Sequence, residues 1–151
     1  MPYQWGGFDT PGSFNRKLQQ GLAAGDIYTN AKRAGLESTV SQEAAGIDCS
    51  GFISRCWGLE KSFSTRELPA LCRRLNTYQE LQAGDIVNTF NAHVLLFCRW
   101  TSPQQDRALF YEAGCHPHWK VVLRELDVRQ LRGKNYVPLR YRYILDAPAE
   151  G

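Results

Sequence analysis

The stretch Asp48-Cys49-Ser50-Gly51-Phe52-Ile53-Ser54-Arg55-Cys56-Trp57-Gly58 carries the clearest helical signal in the chain. Cys49, Phe52, Ile53, Cys56 and Trp57 fall at i, i+3, i+4, i+7 and i+8, an apolar stripe along one face of an α-helix. Asp48 is a good N-cap and Gly58 a good terminator. The cap puts Cys49 in the first turn, where unpaired amides and the positive end of the helix dipole favour thiolate over thiol. Cys49 is therefore a candidate nucleophile. The stripe alone reads equally well with Cys49 as its first packed residue.

Working outward, the first half of the chain reads helical. Ser13 is expected to cap a segment with Phe14, Leu18 and Leu22 on one face, ending near Gly25. Asp26 is expected to cap a second, ending near Gly35. A further helix is expected from Arg66 to Arg74, with Leu68, Leu71, Cys72 and Leu75 inward. After Ala83-Gly84 the period changes. Asp85-Ile86-Val87, His93 to Arg99, Arg107 to Ala113, Lys120 to Leu126 and Tyr136 to Tyr143 read as strands. Helices followed by antiparallel strands predict an α+β fold, with the Cys49 helix packed on a mainly antiparallel sheet of five or six strands.

The chain has 151 residues, 43% hydrophobic and 22% charged, which suits one soluble domain. The net charge of +3 is mild, and no Lys/Arg run or basic-aromatic stripe points to nucleic acid. No apolar run approaches the roughly 20 residues needed to span a membrane. The N-terminus, Met1-Pro2-Tyr3-Gln4-Trp5-Gly6-Gly7, lacks the basic and apolar regions of a secretory signal. The five cysteines include no C-x-x-C pair, so neither a disulfide framework nor a structural zinc site is expected.

A nucleophilic thiol needs a base, and the chain has three histidines. His93 opens the most apolar strand, where an imidazole at the strand mouth can face a helix N-terminus; the alternative is a solvated loop histidine. His116 and His118, beside Cys115, suggest a metal site only weakly, with too few fixed ligands. An imidazole also needs an orienter to hold its tautomer. Glu112, on the strand after His93, is the candidate, with His116 and His118 competing for the role.

Taken in order, Tyr3-Gln4-Trp5-Gly6-Gly7, Asp48-Cys49-Ser50-Gly51-Phe52, Gly84-Asp85-Ile86-Val87 and Ala92-His93-Val94 resemble the motifs of the NlpC-type cell-wall cysteine peptidases. The resemblance covers nearly the whole chain. It implies a papain-like fold and cleavage of an amide in peptidoglycan stem peptides, typically between D-glutamate and a diamino acid. It makes Cys49 the nucleophile, His93 the base and Glu112 the third polar residue, where relatives often have His. Tyr3 and Asp48 would hold the free amine end of the substrate, with Ser50 and Ser64 also expected to bind substrate. Hydrolysis would run through a thioester, with the Cys49 N–H as oxyanion donor and no cofactor or metal. A secreted or cell-envelope location and a wall-binding domain outside this chain would fit that substrate. The competing readings are an amidase or acyltransferase toxin or phage lysin acting on another amide, and a silent wall-binding module.

Two departures bear on specificity. Phe8 to Ile47 separates motifs that many relatives join by a short link, and is expected to rim the cleft. The polar loop after the nucleophile helix is matched only loosely, by Ser62-Phe63-Ser64-Thr65-Arg66.

Overall fold

The computed structural model describes residues 1–35, 39–114 and 116–144. Its contacts group the chain into two compact units, Met1–Ser62 with Glu112–Val122, and Phe63–Tyr111 with Leu123–Gly151. The architecture is α+β, with a mainly antiparallel six-stranded sheet and a few short helices.

The first unit contains α1 (Pro11–Gln19), β1 (Ala23–Ala24), α2 (Asn30–Ala34), β2 (Ala44–Ala45) and α3 (Cys49–Cys56). Thr10, not Ser13, caps α1: its hydroxyl accepts from Ser13 N, and the Ser13 hydroxyl accepts from Thr10 N in return. Pro11 explains this, because proline is preset for the first helical position and the cap must precede it. Asp26 caps nothing and is paired with Lys32. Thr29 caps α2 instead.

The segment from Phe8 to Ile47 leaves and returns at one place. Ile47 bridges both Tyr3 and Phe8, and Asp48 N donates to Gly7 O at 3.1 Å. Arg55 of α3 ties down the exit, donating Nε and Nη2 to Phe8 O at 2.9 and 2.7 Å and lying 3.4 Å above the Phe8 ring. Asp9 fixes the return. Burial alone would raise its pKa, but hydrogen bonds from Lys17, Ser13 and Gly46 lower it below the ordinary 3.8.

The second unit holds most of the sheet. In chain order the strands are β3 (Cys72–Arg74), β4 (Ile86–Thr89), β5 (His93–Trp100), β6 (Arg107–Gly114), β7 (Lys120–Asp127) and, after the helix α4 (Val128–Gly133), β8 (Val137–Tyr141). Their order across the sheet is β3-β8-β4-β5-β6-β7. The five strands expected from the sequence are all present, to within a residue or two at their ends. The expected helix from Arg66 to Arg74 is a 3-10 turn at Leu68–Leu71 followed by β3, which pairs antiparallel with β8. Leu75, Tyr78, Val87, Leu95, Phe97, Phe110, Val128 and Leu131 are among the residues of the core.

A buried ion pair lies inside this unit. Asp85 is fully buried and takes a two-pronged ion pair from Arg140 of β8, at 2.8 and 2.7 Å. Its Oδ2 also accepts from Gln82 N, and Arg140 reaches Glu80 O. The pair fixes the entry of β4 against β8. Removing one partner strands the other charge, so Asp85→Ala should destabilise the protein by about 3–5 kcal/mol in urea unfolding. Breaking the exposed Arg107–Glu125 pair should leave the midpoint nearly unchanged. Equal effects of the two substitutions would refute this view of the pair.

Candidate active site

Asp48 stands in extended backbone, φ −94° and ψ −178°, which turns its carboxylate back over the start of α3. Oδ1 accepts from Gly51 N at 2.6 Å, and Oδ2 from Gly6 N at 3.1 Å. A weaker contact comes from the Ser50 hydroxyl at 3.4 Å. Burial raises the Asp48 pKa above the ordinary 3.8, and the bonds from Gly51, Gly6 and Ser50 only partly offset it.

The glycines of this region are needed for close approach. A Cβ on Gly51 would lie 2.4 Å from Gly7 O, and one on Gly7 would lie 2.5 Å from Gly46 O. The buried face of α3 is accordingly Ser50, Gly51, Ile53 and Ser54. This corrects the expected stripe: Cys49, Phe52 and Trp57 are half-buried and Cys56 is exposed. Helix periodicity located the helix, but backbone contact chose the face.

Cys49 is therefore the first residue of α3, half-buried and outside any disulfide. Its N–H is among the helix amides that have no intrahelical acceptor. Cys56 and Cys72 differ from it in setting. Neighbouring atoms desolvate the Cys56 thiol and push it up although the residue is exposed; burial pushes Cys72 up to about 12, with Arg142 pulling it down and Asp85 pushing it further up.

Among the other expected site residues, the first unit also holds Tyr3, Ser50 and Glu112. Ser50 is buried, and its carbonyl accepts from the Ser54 hydroxyl at 2.8 Å. Tyr3 lines a cavity of about 420 Å³ with Trp5, Asp26, Ile27, Tyr28, Lys32 and Trp119. Asp48 is spent on Gly6, Ser50 and Gly51 instead. Glu112 is half-buried on β6, its carboxylate leaning along the strand toward Gly114.

His93 and Ser64 belong to the second unit. His93 opens β5, half-buried, after a tight loop in which Asn91 takes φ 57°. Thr89 closes that loop: its hydroxyl accepts from His93 N at 3.2 Å and donates to His93 O at 3.0 Å. Alternation puts His93 on the face of β5 that carries Leu95 and Phe97, and Phe97 pairs with Phe110. Ser64 is exposed and starts a turn, its N–H donating to Glu67 Oε2 at 2.8 Å and its carbonyl accepting from Glu67 N and Leu68 N.

His116 and His118 lie exposed in the turn between β6 and β7, and Cys115 lies outside the described residues. Among the described residues no group of three or more His, Cys, Asp or Glu is placed to hold a metal ion. No described helix is long and apolar enough to cross a membrane. Sequence reasoning missed the aromatic cavity around Tyr3, whose walls come from positions far apart in the chain. No protein-family model, curated protein or solved structure matches this chain.

If Asp48 holds this region, Asp48→Ala should cost about 1–3 kcal/mol, because two backbone N–H groups lose their acceptor. Asp48→Asn, which still caps, should cost less. The raised pKa sets a sign. The folded chain holds the Asp48 proton more tightly than the unfolded chain, so this group favours folding most at acid pH. That contribution falls as pH rises from 3.8 through the folded pKa. Wild type should therefore lose stability relative to Asp48→Asn over that rise; a constant difference across it would contradict the assignment.

Proposed function

We propose that this chain is a papain-like cysteine hydrolase of the NlpC type, cutting an amide in peptidoglycan stem peptides. The observation that carries the proposal is the Asp48 carboxylate. It joins Gly6 of the Trp5-Gly6-Gly7 motif to Gly51 of the Cys49 motif across the long intervening segment. Two motifs distant in sequence form one local structure, with Cys49 at its half-open edge.

The reaction is acyl transfer in two steps. Cys49 thiolate attacks the amide carbonyl, and the Cys49 N–H stabilises the developing oxyanion. His93 carries the proton to the leaving amine, which departs as the C–N bond breaks. Water then attacks the thioester, releasing a carboxylic acid and restoring the thiol. Glu112 orients and charges the imidazole. Tyr3 meets the substrate's amine end, and Asp48 holds the backbone of Gly6 and Gly51 beside Cys49. No cofactor takes part, and the substrate places the protein at the cell envelope.

The test is digestion of purified peptidoglycan, with the released fragments weighed by mass spectrometry. Wild type should release stem-peptide fragments with a new amine and a new carboxylate, and folded Cys49→Ala should release none. Glu112→Gln should lower turnover by about tenfold or more. Fragments from Cys49→Ala would overturn the nucleophile. Full activity of Glu112→Gln with loss in His116→Ala or His118→Ala would move the third role to a histidine.

A further inference from the structure

The first unit contains a cleft of which the proposed hydrolase reading uses one residue, Tyr3. Three of its walls are large aromatic rings left open to solvent: Trp5 at 46% exposure, Tyr28 at 62% and Trp119 at 51%. Rings this size are normally buried for the area they remove from water, so three around one cavity call for an occupant. Two of them are held in place. Trp119 sits in left-handed backbone, φ 54°, which a bulky residue avoids. Tyr3 N bonds its carbonyl at 2.9 Å, and its ring meets the Tyr3 ring edge-on at 6.1 Å. Arg33 lies over the Tyr28 ring, 5.7 Å from its centre. Strained backbone of this kind collects at ligand sites.

The polar part of the cleft is the Asp26–Lys32 pair. Lys32 is 5% exposed, and its Nζ lies 2.6 Å from Asp26 Oδ1 and donates to Oδ2 at 2.7 Å. Oδ1 is buried and has only the charge contact, with no aligned hydrogen bond, so it can still accept one. The two charges cancel. A cationic ligand would meet Lys32 and an anionic one Asp26, so neither gains net attraction. Neighbouring hydroxyls on one ring can donate to the carboxylate while accepting from the ammonium. A flat aromatic ligand fits less well, because the Tyr3 and Trp119 planes cross at 70° and form no parallel slot. A chair-shaped ring with a C–H face for the indoles and a hydroxyl edge for the ion pair suits the cleft. The volume of about 420 Å³ lies within the usual range for small-molecule pockets, roughly 300–1,000 Å³.

We propose that the cleft walled by Trp5, Tyr28 and Trp119 over the Asp26–Lys32 pair binds an uncharged pyranose ring of a saccharide. None of these five residues enters the hydrolase chemistry, which shares only Tyr3 with the cleft. The test is titration of the full chain carrying Cys49→Ala with chitotriose, cellotriose and maltotriose, followed by tryptophan fluorescence and calorimetry. At least one trisaccharide should saturate with a shift in tryptophan emission. Trp5→Ala and Tyr28→Ala should each raise its Kd about tenfold. Tyr28 is exposed enough for its substitution to keep the fold, so that comparison stands even if Trp5→Ala unfolds. Saturation by none of the three, binding unchanged in Tyr28→Ala, or displacement of the saccharide by choline or adenosine would overturn the proposal.

Discussion

One carboxylate, that of Asp48, accepts from the Gly51 N–H of its own helix and from the Gly6 N–H, forty-two positions earlier in the sequence. Both acceptor sites act at once, so the helix start and the N-terminal segment cannot move independently. Gly7 and Gly51 make this possible, since any side chain would hold the two backbones apart. The rest of the first unit is arranged around that contact: Ile47 bridges back to Tyr3 and Phe8, and Arg55 clamps the Phe8 carbonyl. The cost is a half-buried acid whose charge is disfavoured. The return is a cysteine whose position is set by backbone geometry rather than by packing of its own side chain.

The second unit shows the same economy with a different device. Asp85, which follows Gly84, is likewise committed to structure, through Arg140. In this chain the Gly84-Asp85 sequence is a buried ion-pair anchor for β4. His93 stands at the far end of the same hairpin, positioned by Thr89 and the left-handed Asn91. The residues nearest the proposed chemistry thus owe their placement to groups that do no chemistry.

The sheet was legible because period-2 alternation and Gly-Asp or Pro breaks survive in short strands. The elements that escaped have little pattern to read. β3 is three residues long and its Cys-Arg-Arg shows no alternation; α4 is a six-residue turn capped by Asp127. Helix starts were misplaced where several cap residues compete, as Thr10 and Ser13 do, and Pro11 held the deciding signal. The face of α3 was misread because small residues, not large apolar ones, are buried there. Cys49, His93 and Glu112 could be named from residue type and order, but the aromatic cleft could not. Trp5, Tyr28 and Trp119 carry no shared periodicity and meet only after folding.

The central claim is that Cys49 and His93 act as a pair, and the rate of Cys49 alkylation as a function of pH measures this directly. Iodoacetamide labelling, followed site by site by peptide mass, should show Cys49 reacting at mildly acidic pH while Cys56 and Cys72 lag. In His93→Ala that acidic reactivity should disappear, leaving Cys49 to label only as pH rises toward the ordinary thiol range. An alkylation profile for Cys49 identical in wild type and His93→Ala would contradict the account.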